Sequence, residues 1–230
     1  MRHREIQYSE DEAKAVRCVT NEMHVYNPSS WDQGIAEKLR LEGITSVSIS
    51  PGRAPSVAAF VAEKKVSDFG LPHFTTSTHP LLSNIQGAPA SVKIHSLLAL
   101  ASPSCSKTFY KADKIQMKWN KTGSNLLFLT QTDVDKTGKS YYGETNLYLM
   151  NAAGQFDCRV TLGTFLSRSA SSFASGSDRI LVKSTDKEGG IHDFAWSPND
   201  REFAVTYGCT FSCSFIEVDV GTMLNPSFSI

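Results

Sequence analysis

The 230-residue chain lacks a charge imbalance: 23 lysines and arginines face 23 aspartates and glutamates, for a formal net charge of +0. That balance excludes a global pull toward nucleic acid or an anionic membrane, so such a contact has to come from a local patch. A run of 18 apolar residues is also absent, which excludes a membrane-spanning helix. The opening Met1-Arg2-His3-Arg4-Glu5 has no apolar segment and is not expected to act as a secretory signal. Cysteine is scarce and odd in number (Cys18, Cys105, Cys158, Cys209 and Cys213). Scattered in this way, the five fit reduced thiols in the cytoplasm rather than a disulfide framework. Neither a G-x-S-x-G nucleophile elbow nor a P-loop occurs, which argues against a peptidase propeller and against nucleotide hydrolysis.

What is present is a repeated hairpin. Its clearest copy spans Ile191 to Gly208. Ile191, Phe194 and Trp196 fall near one buried side, with Asp193 breaking the strict alternation of a strand. Ser197-Pro198-Asn199-Asp200 supplies turn chemistry, and Phe203, Val205 and Tyr207 form the returning strand. A second copy places Trp119 where Trp196 stands, with Gly123 in its turn and Leu126-Leu127-Phe128-Leu129 after it. Val47-Ser48-Ile49-Ser50-Pro51-Gly52 running into Val57–Val61 makes a third copy, and Ile6-Gln7-Tyr8 running into Ala15–Val19 a fourth. The other three copies are followed by a further strand-like run, at Met23–Tyr26, Ser91–His95 and Thr145–Leu149. Three or four short strands per unit, at a period of roughly 40–50 residues, predict an all-β chain of about three to four propeller blades. An antiparallel sandwich is the alternative.

The anchors Tyr8, Ile49, Trp119 and Trp196 are spaced by 41, 70 and 77 residues. Two aperiodic segments, 66–86 and 163–185, account for the longer gaps: set aside, they leave spacings of 49 and 54 residues. The domain organisation expected is therefore a single incomplete propeller over residues 1–230, with insertions at 66–86 and 163–185 and an atypical tail at 209–230. The segments read either as long functional loops or as translated introns. Val66 is encoded by GT-initial codons and Gln86 can be encoded by CAG, the two ends of a phase-zero intron.

No motif rises to a catalytic, cofactor or metal site. Asp133-Val134-Asp135-Lys136-Thr137-Gly138, with Glu144 at the twelfth position, follows the ligand spacing of a calcium loop, but lies between strands without flanking helices. It is read as a solvated hairpin loop. Cys209 and Cys213 have no second pair of ligands to complete a zinc site. His192 is expected to serve structurally beside its turn. Asn120-Lys121-Thr122 fits a glycosylation acceptor, one that the expected compartment leaves unused. Lys107, Lys111, Lys114, Lys118 and Lys121, interleaved with Phe109, Tyr110 and Trp119, form a modest basic patch able to meet RNA phosphates and bases; a solvated strand face is the plainer reading.

With the two segments set aside, the chain resembles the eukaryotic translation initiation factor 2A family of WD-repeat proteins. The resemblance is carried by Tyr8–Glu22, Ser50-Pro51-Gly52, Val57–Lys64, Ala88–Ile94, Lys107–Lys114, Trp119–Gly123, Tyr142–Tyr148 and Ile191–Asn199. It implies a β-propeller followed by a charged helical tail. It also implies a non-enzymatic, cytoplasmic factor that binds the small ribosomal subunit and directs initiator methionyl-tRNA to it without GTP, in a codon-dependent way. The implied partners are that subunit, initiator tRNA and mRNA, with other proteins at the propeller edges, no membrane and no cofactor. Against the family pattern, the chain is expected to begin within the propeller, to carry the two insertions, to lose the pattern after Gly208 and to lack the tail. The alternatives are a WD-repeat protein–protein scaffold outside translation, a propeller subunit of a larger initiation complex, an enzyme-associated propeller, or a truncated or mis-spliced product without function. Three or four blades do not close a ring, so exposed strand edges are expected to favour aggregation.

Overall fold

A computed structural model describes residues 6–64, 87–132, 144–163, 181–183, 190–200, 202–207 and 212–217. Its strands form four sheets in succession along the chain. The first contains β1 (Gln7–Tyr8), β2 (Ala15–Val19), β3 (Glu22–Tyr26) and β4 (Ile35–Arg40), in that spatial order. The second contains β5 (Ile44–Ile49), β6 (Ser56–Val61), β7 (Ala90–Ser96) and β8 (Ala99–Phe109). The third orders β9 (Lys114–Trp119), β10 (Asn125–Gln131), β11 (Thr145–Asn151), β12 (Asp157–Gly163) and β13 (Leu181–Lys183). The fourth has β14 (Ile191–Trp196), β15 (Glu202–Tyr207) and β16 (Ser212–Glu217). A 3-10 turn at Pro28–Gln33 precedes β4.

The four repeated hairpins are the pairs that open each sheet, and their first strands β1, β5, β9 and β14 lie next to one another. The irregularity expected at Asp193 is a register shift between Ile191 and Asp193, and the same shift recurs in the second sheet between Ile44 and Ser46. Such a bulge re-aims the side chains that follow it and increases the local twist.

The core occupies three seams between consecutive sheets. Val16, Cys18, Met23 and Val25 meet Ile44, Val47, Val57 and Ala59 across the first seam. Across the second, Phe60, Val92, Ile94 and Phe109 meet Leu126, Phe128, Tyr148 and Met150. Across the third, Leu127, Leu129, Leu147 and Leu149 meet Ile191, Phe194, Phe203 and Val205. β10 explains the uninterrupted apolar run Leu126–Leu129: alternate residues enter different seams, so both faces of the strand are covered. Three successive face-to-face seams exceed what a two-layer sandwich can hold. The architecture is a partial β-propeller of four blades.

Two strands appear where the sequence shows no period. β13 lies inside segment 163–185 and pairs in parallel with β12. β16 follows the lapse after Gly208 and pairs with β15 over its whole length, from Glu202–Glu217 to Tyr207–Ser212. Edge strands draw on backbone hydrogen bonds more than on a buried side-chain face, which weakens their signal in sequence.

Candidate functional site

The hairpin anchors form a repeated clamp between blades. The Trp119 indole Nε1–H donates to the Ser48 carbonyl at 3.2 Å, and the Trp196 Nε1–H donates to the Lys118 carbonyl at 3.0 Å. In both cases the acceptor is the residue just before the anchor of the preceding blade, Ile49 or Trp119. Ile49 has no indole, and Gln7 replaces it: its amide donates to the Val47 carbonyl at 2.9 Å and accepts from the Ile49 amide at 3.1 Å. The turns stack on the same rhythm. Asp200 accepts from the amides of Lys121 and Thr122 at 2.7 and 2.9 Å, and Glu10 accepts from the Gly52 amide at 2.7 Å. Gly123, at φ +70°, sits so close to the second blade that a Cβ would lie 2.2 Å from the Pro51 carbonyl oxygen.

Three of the patch lysines are engaged by carboxylates. Lys107 pairs with Asp157 of the third blade, and Lys111 with Glu144 at 2.8 Å. Lys118 bonds Asp193 at 2.8 Å and the Phe194 carbonyl, with its ammonium 4.8 Å from the Phe194 ring centre. Lys118 holds the Asp193 carboxyl below its ordinary range, as Lys111 does for Glu144. Phe109 is buried in a stack with Phe60, Phe128 and Tyr148, and Trp119 is spent on its clamp, while Tyr110 is 65% exposed. Three of the five lysines that read as one patch, Lys107, Lys111 and Lys118, are therefore taken up by three different carboxylates.

Other sequence candidates fare similarly. Residues 133–143 of the calcium-like loop, and Cys209, lie outside the described residues, and Cys213 is described only as part of β16. Glu144 is engaged by Lys111. Asn120 is 1% exposed and braces its own turn, donating to Thr122 and Ser124 and accepting from the Asn125 amide. His192 lies exposed at the bulge of β14. His95 is buried with a ring nitrogen 2.8 Å from the Leu100 carbonyl, and burial pulls its pKa down. Among the described residues no cluster of three His, Cys, Asp or Glu could hold a metal, and no helix is long and apolar enough to cross a membrane.

A cationic surface that the sequence does not reveal lies on the outer face of the first sheet, opposite its core seam. Strand register assembles it in rows. Tyr8, Ala15, Tyr26 and Ile35 form one row across β1–β4; Arg17, His24 and Lys38 form the next; Val19, Glu22 and Arg40 form the third. Tyr8 is 52% exposed, and Trp31 stacks on Tyr26 at 5.4 Å. Arg17, Lys38 and Arg40 are exposed. Glu22 bonds His24 at 2.9 Å, and its carboxyl is held low chiefly by that bond, with Lys38 and Arg40 adding to it. Three permanent cations thus face one carboxylate, beside an aromatic row. Arg17 lies 21 or more residues from Lys38 and Arg40 in sequence, so no linear motif announces the three cations.

The family model of eukaryotic translation initiation factor eIF2A matches residues 107–168 and 171–221. Eukaryotic translation initiation factor 2A of Schizosaccharomyces pombe is 43% identical over 203 residues, covering 88% of this chain. The chain belongs to the eIF2A family. The Caenorhabditis elegans relative is 33% identical over 205 residues, covering 89% of this chain. A crystal structure described as that of the eukaryotic initiation factor matches with a TM-score of 0.59 at 34% identity, over 89% of this chain and 37% of that one. The chain spans 28% of the length of each of these two curated relatives. The eIF2A family model runs to residue 168 and resumes at 171, so it includes β13 and β16 of this chain.

Proposed function

We propose that this chain is a non-catalytic, cytoplasmic part of a translation initiation factor, one that binds the small ribosomal subunit and helps direct initiator methionyl-tRNA to it. On this reading delivery is independent of GTP and dependent on the codon in the mRNA. Family membership supports the initiation role, and one observation supports an RNA contact: the row Arg17–His24–Lys38 lies beside the row Tyr8–Ala15–Tyr26–Ile35, with Arg17, Lys38, Tyr8 and Ile35 exposed. Cations neutralise phosphates, and aromatic faces stack on unpaired bases without demanding a sequence. Rigid blades hold these groups at fixed separations, which is what a binding scaffold requires and what catalysis would need supplemented by a nucleophile or acid–base pair.

The test is binding of purified small ribosomal subunits, and of a short single-stranded RNA, to the chain and to its R17E/K38E/R40E variant. The variant is expected to bind both at least tenfold more weakly at about 0.1 M salt, with a salt dependence shallower by about two counterions. Equal binding by both proteins would overturn the assignment of this face. If the parent chain binds neither probe, a protein–protein scaffold becomes the better reading.

A further inference from the structure

The β6–β7 ladder ends in an unusual way. Val61 pairs with Ser91, and the same register continues to a bridge between Lys64 and Ala88, whose Lys64 amide donates to the Ala88 carbonyl at 3.0 Å. In sequence, segment 66–86 lies between the two members of this pair. Strand ends held by such a pair are already at the separation that a two-residue turn spans.

The equivalent hairpin of the first blade shows what closes it. β2 and β3 are joined across Val19–Glu22 by Thr20 and Asn21 alone, and Asn21, the second of the two, has φ +60°. Joining Lys65 to Gly87 gives Lys64-Lys65-Gly87-Ala88, with glycine at the place of Asn21. Glycine takes positive φ at no steric cost. The same excision brings the Ile49–Trp119 spacing from 70 to 49 residues, near the blade period. Segment 163–185 differs, since it contributes β13 to the third sheet.

We infer that residues 66–86 are an insertion into a two-residue hairpin, and that the second blade is built to fold without them. Pairing register, the hydrogen-bonded closing pair, the position of Gly87 and the sister hairpin carry this assignment, which does not depend on the RNA-binding reading.

Thermal unfolding of three proteins tests it: the full chain, a chain lacking 66–86, and a chain lacking 68–88. The third loses as many residues as the second but removes Gly87 and Ala88. Shortening the connection from 23 residues to two cuts its length by about three and a half doublings, which raises Tm by about 4–8 °C for a chain of this size. The chain lacking 66–86 is expected to keep its β-sheet circular dichroism and to show that rise, with the 68–88 deletion melting below it. A 66–86 deletion that fails to fold, or melts at or below the full chain, overturns the inference. So does a 68–88 deletion that melts at the same temperature as the 66–86 deletion.

Discussion

The lysines between Lys107 and Lys121 and the cations of the first sheet have the same chemistry and opposite fates. The former are dense in sequence, yet the fold turns Lys107, Lys111 and Lys118, from the second and third sheets and the connection between them, toward Asp157, Glu144 and Asp193. The latter are dispersed in sequence, yet strand register lines up Arg17 and Lys38 across His24 and puts Arg40 in the adjoining row. Charge density along a chain is therefore a poor guide to charge density on a surface. Neighbours in space are chosen by pairing across strands and seams, and a cation near a seam finds a carboxylate there. The same contrast separates the covered faces of the middle blades from the outer face of the first. Covered faces carry Phe128 and Leu127; the outer face carries Arg17 and Lys38.

Breaking a seam should have the largest effect. Phe128 is fully buried, with Tyr148 5.0 Å and Phe109 5.6 Å from its ring. Phe128→Ala is expected to cost about 3–5 kcal/mol, measured by urea unfolding, because neighbouring rings close the cavity only in part. A loss below 1 kcal/mol would show that the second seam is not packed as described.

The clamps rank next. Trp196→Phe keeps the ring but removes the donor to the Lys118 carbonyl, and should cost about 1 kcal/mol. Trp119→Phe should cost a similar amount at the preceding seam. A double variant whose loss is the sum of the two would show that the seams act independently; coupling would show that the strain of one passes through β9 to the other.

The smallest effects sharpen the cation comparison. Lys118→Met removes a partly exposed ion pair and is expected to cost at most about 1 kcal/mol, less in high salt. Its pH dependence has a definite sign. Asp193 is depressed below its ordinary value of 3.8, so the stabilisation it gains from Lys118 is fully present above that value and disappears as pH falls through the lower folded value. The difference between parent and variant should be flat from neutral pH down to the ordinary aspartate range and shrink below it. Lys38→Met, in contrast, should leave stability within about 0.5 kcal/mol at every pH while reducing the salt slope of RNA binding by about 0.7. Equal stability losses in the two variants would erase the distinction between seam cations and face cations.

Much of the fold is legible in the residues. Period-two alternation located the four opening hairpins, Ser-Pro-Asn-Asp marked the turn after Trp196, and the misfit of Asp193 marked the bulge. β13 and β16 were not legible, since backbone pairing at an edge leaves little trace in side-chain pattern. The outer face of the first sheet was not legible either. Tyr8, Tyr26, Arg17 and Lys38 come from four strands, and only their register makes them neighbours. The role of Trp119 was half legible: its spacing identified an anchor, but its acceptor is the Ser48 carbonyl, 71 residues earlier.

The sequence by itself determined which stretches become strands, where they turn and which residues are apolar enough to be covered, because these follow from local conformational preference and the two-residue period of the pleat. Tertiary structure alone decided which seam each face of β10 enters, which carbonyl each indole finds and which lysines are spent on carboxylates. Those outcomes depend on contacts between residues 33 or more positions apart, or on strand register, and local preference carries no information about either.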